Sequence, residues 1–205
     1  MKATIKLLLV FALVLASFSQ HSSALAGSNY KFSGDTAEAW FSSLDGCVYT
    51  DVFVWTSDGF NQSPPGPGSA SSWADLWISQ WDWCTETQLL AAGGGTSLAG
   101  PDFQVSGKLD SATLNATVNV YDWVSDSVFD VSVNLTWTGV GGLSSGSSNS
   151  HYNSPGCKIH SRSRGTWRSA EVSGSVWDGA TNFTPDPFGG NIYSVKEGGL
   201  SIGCN

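Results

Sequence analysis

The chain has 205 residues, with 9 basic side chains against 17 acidic ones. Apolar residues make up 40% and aromatic ones 12%, too much for a disordered chain. The acidic balance predicts repulsion from nucleic acid and from anionic lipid.

The chain opens with a targeting signal. Lys2 and Lys6 precede an apolar run over residues 7–17, and Ala24-Leu25-Ala26 is a small-x-small cleavage pattern. The apolar run is too short to span a bilayer. Residues 1–26 therefore read as a secretory signal peptide, cut after Ala26. Residues 27–205 are the size of one domain, expected to be secreted into the extracellular space. Without Lys2 and Lys6, seven basic side chains face 17 acidic ones, a net charge of −10.

Period-two alternation dominates residues 27–205. Strands are predicted near 36–43, 47–56 and 73–83, then 102–109. The clearest signal is a hairpin. Leu114, Ala116, Val118 and Val120 alternate with polar residues, as do Phe129, Val131, Val133, Leu135 and Trp137, and "VSDS" at 124–127 joins the two runs. Further strands are predicted at 164–177, 191–196 and 199–203. Three stretches read as turns or loops: residues 57–72, 91–100 and 141–156. No helix signal is strong. The pattern predicts an all-β, antiparallel β-sandwich of seven to nine strands, jelly-roll-like or immunoglobulin-like.

Cys47, Cys84, Cys157 and Cys204 make an even set in an exported chain, which suggests two disulfides. Pairing the neighbours in sequence gives Cys47–Cys84 and Cys157–Cys204. No CxxC or HxxxH spacing exists, so no zinc site is predicted.

Several patterns bear on chemistry. "GLSSG" around Ser144 matches a nucleophile-elbow pattern, but it lies in a Gly/Ser run, where chance matches are common. His151 and His160 are available as bases, but nothing in one dimension ties them to a serine. Asp122, Asp126 and Asp130 recur every four residues, and Asp178 with Asp186 marks a second acidic loop. Either could hold calcium, yet both read better as ordinary polar turns, and no cofactor is assigned. Lys158, Arg162, Arg164 and Arg168 cluster in one segment. Internal ion pairing is the plainer reading; contact with acidic sugars or phosphate is the functional one. Sequons occur at Asn61, Asn115, Asn134 and Asn182. Those at Asn115 and Asn134 fall on the polar face of the hairpin and are the candidate glycosylation sites.

"WADLWISQWDWC" holds Trp73, Trp77, Trp81 and Trp83. It could form a helical stripe, but its surroundings favour a strand. If its aliphatic residues meet Val48, Val52 and Val54, the opposite face collects Trp40, Tyr49, Phe53, Trp55 and the four tryptophans. If Cys47 and Cys84 stand directly opposite each other, the register slips by one residue and the tryptophans turn inward. The inward register is favoured, because a sandwich needs large inner residues. The outward one would create a platform for sugar rings. On these grounds the chain reads as a secreted, non-catalytic binding or surface module, with carbohydrate as its ligand. The alternatives are a secreted glycoside hydrolase and a structural or assembly protein.

Overall fold

The computed structural model describes residues 28–62, 67–154, 157–184 and 188–204. The expected signal peptide, Asp186 and the Cys204 side chain lie outside the described part. The described residues are all-β, with nine strands: β1 (Ser28–Asp45), β2 (Val48–Gln62), β3 (Ser69–Asp82), β4 (Thr87–Ser97), β5 (Phe103–Val105), β6 (Ser111–Asp122), β7 (Ser127–Ser154), β8 (Cys157–Trp177) and β9 (Phe188–Cys204). No helix of the described residues is long and apolar enough to cross a membrane.

Every pairing is antiparallel, in the order β4-β3-β2-β1-β9-β8-β7-β6-β5. The two layers expected of a sandwich are here opposite walls of one sheet. That sheet closes on itself where β4 meets β6, through the pairs Ala92–Asp122 and Gly93–Tyr121. Alternate residues from every wall meet inside: Ala37, Val54, Ile78, Val120, Val133 and Val172 are all buried. Trp137 lies fully inside among them, and its indole Nε1 donates to the Glu38 carbonyl at 2.8 Å.

Closure depends on glycine. Gly93, Gly94 and Gly95 read as a turn in the sequence, yet they form the middle of β4. A Cβ on Gly94 would overlap the Asn119 carbonyl oxygen of β6, so only glycine lets the two backbones meet there. Gly93 faces outward, where a Cβ would stand 2.9 Å from the Trp77 ring and 3.0 Å from Trp123.

Two hairpin turns flank this seam, and their sequences match. "WDWCTET" (81–87) follows β3 and "YDWVSDS" (121–127) follows β6. In each, the aspartate caps its own turn. Asp82 Oδ1 accepts the amides of Cys84 and Thr85; Asp122 accepts those of Val124 and Ser125. Each turn ends on a left-handed residue, Glu86 (φ 53°) or Asp126 (φ 54°). Asp122 does more than Asp82. It is 4% exposed, and its Oδ1 also accepts the Ala91 amide of β4, while Trp123 N donates to Ala91 O at 2.9 Å. It is the clasp of the seam.

The other two stretches that read as loops are largely strand as well. β2 runs on to Gln62, and β3 starts at Ser69. Residues 144–154 of the Gly/Ser run pair one for one with β8, from Ser144–Trp167 to Ser154–Cys157. Glycine and serine have low β propensity, but β8 is already held on its far side by β9 and offers a ready backbone ladder. Strands β1, β2, β7, β8 and β9 thus extend past the closed barrel as a tongue.

Candidate functional site

The register of β2 and β3 settles where the tryptophans go. Val52 stands opposite Ile78 and Val54 opposite Leu76, so aliphatics meet aliphatics in the core. Tyr49 then faces Trp81, Phe53 faces Trp77, and Ser57 faces Trp73 on the other side of the sheet. The inward placement favoured from sequence is therefore wrong. The core needs no tryptophan from β3, because it is filled by valine, isoleucine, leucine and Trp137.

On the outer face, the registers align residues in rows across the strands. One row reads Gly189, Trp40, Phe53, Trp77, Gly93 and Tyr121, from β9 through β1, β2, β3 and β4 to β6. At roughly 4.8 Å per strand this row spans about 24 Å. Trp40 is 36% exposed, Trp73 37% and Trp77 43%. The Trp77 ring packs on Trp123, with centroids 5.3 Å apart and planes tilted by 33°. Trp123 in turn meets Tyr121 edge to face at 5.5 Å. Trp123 is 55% exposed and belongs to the platform, although strand alternation alone does not select it. The signal that could have found it is the repeated "WDW"/"YDW" pair of turns. Trp83, in the first of those turns, meets Trp81 edge to face at 6.1 Å. Of the eight predicted residues, Trp40, Phe53, Trp55, Trp73, Trp77 and Trp81 share this wall, with Tyr49 at its lower end and Trp83 at its corner.

A polar row crosses the same wall. Asn191, Glu38, Trp55, Asp75 and Gly95 lie in register from β9 to β4. Glu38 is 4% exposed, and its Oε1 accepts from Asn191 Nδ2 at 2.8 Å and from Tyr193 OH at 2.5 Å. Burial, and then the charge of Glu38, push the Tyr193 hydroxyl well above its ordinary pKa, so it stays a donor. Asp75 lies on the far side of Trp55 and accepts from Trp73 Nε1 at 2.8 Å. Burial raises its carboxyl above the usual range, and the Trp73 bond offsets part of that. Above this row, Trp55, Trp167, Tyr193, Tyr30 and Phe32 border a groove of about 200 Å³ on the outer face of the tongue.

The other sequence candidates separate. Ser144 sits in a strand opposite Trp167, not on the strand-to-helix turn a nucleophile elbow requires. Asp122 is the buried clasp, Asp126 receives the Tyr121 hydroxyl, and Asp130 accepts from Asn119 Nδ2 at 2.8 Å. They do not form a calcium cage. Asp178 caps its own turn through the amides of Ala180 and Thr181. Among the described residues, the one cluster with metal-ligand spacing is Cys47, Asp82 and Cys84, and its two thiols are joined in the Cys47–Cys84 disulfide. Cys157 is also disulfide-bonded and stands opposite Cys204 in the β8–β9 register. Asn115 and Asn134 face each other, exposed, on the outer side of β6 and β7. Arg168 pairs with Asp110 and Arg162 with Glu197.

No family model matches the chain, and no curated protein matches it. Among solved structures it shows a likeness to the enduracididine biosynthesis enzyme MppR, in complex with the condensation product of pyruvate and imidazole 4-carboxaldehyde. The identity is 8%, the TM-score 0.30, and 90% of each chain is covered. A likeness at that level carries no argument about fold or function.

Proposed function

We propose that the chain is a secreted, non-catalytic surface or binding module that takes carbohydrate on the outer wall of β1–β4. One observation supports this above the others. Trp40, Phe53 and Trp77 lie in a single cross-strand row, carried on by Trp123, on a wall that also offers hydrogen-bonding groups. Flat rings present apolar faces to the C–H face of a sugar, while the Asp75 carboxylate, held by Trp73 Nε1, lies within the same wall as an acceptor for hydroxyls. An aromatic surface this extended is costly to leave bare in a monomer. Titration of the purified protein with soluble and insoluble polysaccharides, read by tryptophan fluorescence and by pull-down, tests the reading. Loss of the response in Trp77→Ala supports it. Self-association by sedimentation velocity, abolished by the same variant, would instead assign the wall to a dimer contact.

A second reading, glycoside hydrolysis, draws on the placement of Glu38 and Asp75 on either side of Trp55. They are two strands apart, about 10 Å between backbones, near the upper range for an inverting carboxylate pair. Against it, Glu38 is buried and already bonded, and the wall is open rather than a cleft between the two acids. Release of reducing ends that disappears in both Glu38→Gln and Asp75→Asn would favour this reading.

A further inference from the structure

The inner face of the tongue carries a charge opposite to the rest of the molecule. Along β8 the inward positions read Val176, Val172 and Ala170 inside the barrel, then Arg168 at its rim, and Arg164, Arg162, His160 and Lys158 beyond it. Lys31 joins them from β1, in register with Gly199, which faces Arg162. Lys196 adds to them from the bulge of β9. Leaving aside Arg168, which pairs with Asp110, five of the seven cationic side chains in residues 27–205 belong to this one surface, and all five are exposed. Glu197 is the acid among them and is paired with Arg162; Asp35 and Asp58 mark the boundary toward the barrel. Among the described residues, Lys31, Lys158 and Arg164 take part in no salt bridge. The face borders a hollow of about 750 Å³ lined by Lys31, Gln62, His160 and Arg162. His160 and His151 stack there, ring centroids 4.2 Å apart, with Asn149 bonded to His160 at 2.7 Å.

We infer that this face binds an acidic polysaccharide, one bearing carboxylate or sulfate groups along a single chain. In a chain whose residues 27–205 carry a net charge of −10, concentrating the cations on one strand face makes a local field that attracts a polyanion which the rest of the molecule repels. The patch is narrow. A bilayer or a duplex is broad enough to press against the neighbouring acids as well; a single polysaccharide chain is not. A single-stranded nucleic acid needs flat aromatic platforms for its bases. Phe60 and the His151–His160 pair are rings on this face, but most positions between its cations are serine, asparagine and glutamine, partners suited to sugar hydroxyls. Lys31 and Arg164 also line the groove that Trp55 borders, but Trp77 lines neither that groove nor this hollow, so the two readings are tested separately.

Affinity electrophoresis in sodium alginate, with neutral dextran as control, tests the inference. The protein is expected to be retarded by alginate at about 20 mM salt, with retardation fading as salt rises, whereas any retardation by dextran on the aromatic wall should not respond to salt. The Lys31→Gln/Lys158→Gln/Arg164→Gln variant should lose at least tenfold in alginate affinity with an unchanged near-UV circular dichroism spectrum. Should the triple variant fold poorly, Lys158→Gln and Arg164→Gln are measured singly, each with an expected loss of two- to fivefold. Trp77→Ala should leave alginate retardation unchanged. The inference is overturned by absence of retardation, by equal retardation of the charge variants, or by tighter binding to oligothymidylate or phosphatidylserine vesicles than to alginate.

Discussion

Cys47 is bonded to Cys84, yet the backbone sets Cys47 opposite Trp83, whose amide donates to the Cys47 carbonyl at 2.9 Å. The disulfide joins the strand ends one residue out of register, with Cα atoms 5.5 Å apart. This offset lets the disulfide coexist with the outward tryptophans. The bridge closes a span of 37 residues. Its removal in Cys47→Ser/Cys84→Ser should cost about 4 kcal/mol in urea unfolding, on the loop-entropy account. The near-UV circular dichroism of the tryptophan wall should be retained, because the register is fixed by the aliphatic pairs. A lost near-UV signal in the folded variant would show instead that the disulfide sets the register.

Gly94 supplies the second prediction. Gly94→Ala pushes a methyl group into the Asn119 carbonyl and should destabilise by about 2–3 kcal/mol or more, the range of severe overpacking. Gly100→Ala, with open space around its added carbon, should change stability by less than about 0.5 kcal/mol. Equal effects would contradict the account of closure.

Asp122 supplies the third. Burial opposes its ionisation, but the bonds from Ser125, Val124 and Ala91 outweigh it and hold the carboxyl below the ordinary range. With the folded pKa below the unfolded one, the stabilisation is present at neutral pH and is lost as pH falls below about 4 through the lowered value. Asp122→Ala should cost about 1–3 kcal/mol at pH 7, because it strands the part-buried Ala91 amide. The difference from the unsubstituted protein should shrink under acid. A constant difference down to low pH would assign the effect to packing alone.

Much of this architecture was legible in the chain. Alternation located the β6–β7 hairpin to within a residue or two, because a half-wet strand writes its two faces directly into period two. The aromatic set was also legible, but its side of the sheet was not. Register depends on which residues meet across strands, and the disulfide suggested the wrong alignment because a turn absorbs one residue. The β4 glycines were hidden for a different reason. Their role is close approach between backbones, and glycine in one dimension signals turns as readily as contacts. The cationic face was half visible as a basic segment on β8; that Lys31 and Lys196 join it depends on strand order.

Asp75 supplies a fourth prediction. Its folded pKa is raised, so the ionised form is disfavoured in the folded state. The cost is carried at neutral pH and relieved as pH falls through the raised value. Asp75→Asn keeps an acceptor for Trp73 Nε1 and removes the charge, so its unfolding midpoint should exceed that of the unsubstituted protein at pH 7 and converge with it under acid. A lower midpoint at pH 7 would mean that the ionised carboxylate stabilises the wall.

The most direct test of the central claim is calorimetric titration of neutral soluble polysaccharides into the protein and into Trp77→Ala. Trp77 is 43% exposed, so its loss should leave the fold intact. At least one neutral glycan is expected to bind, with affinity falling tenfold or more in the variant, the effect of losing a binding hot spot. Absence of binding across the panel, or equal affinity for protein and variant, would contradict a carbohydrate platform on this wall.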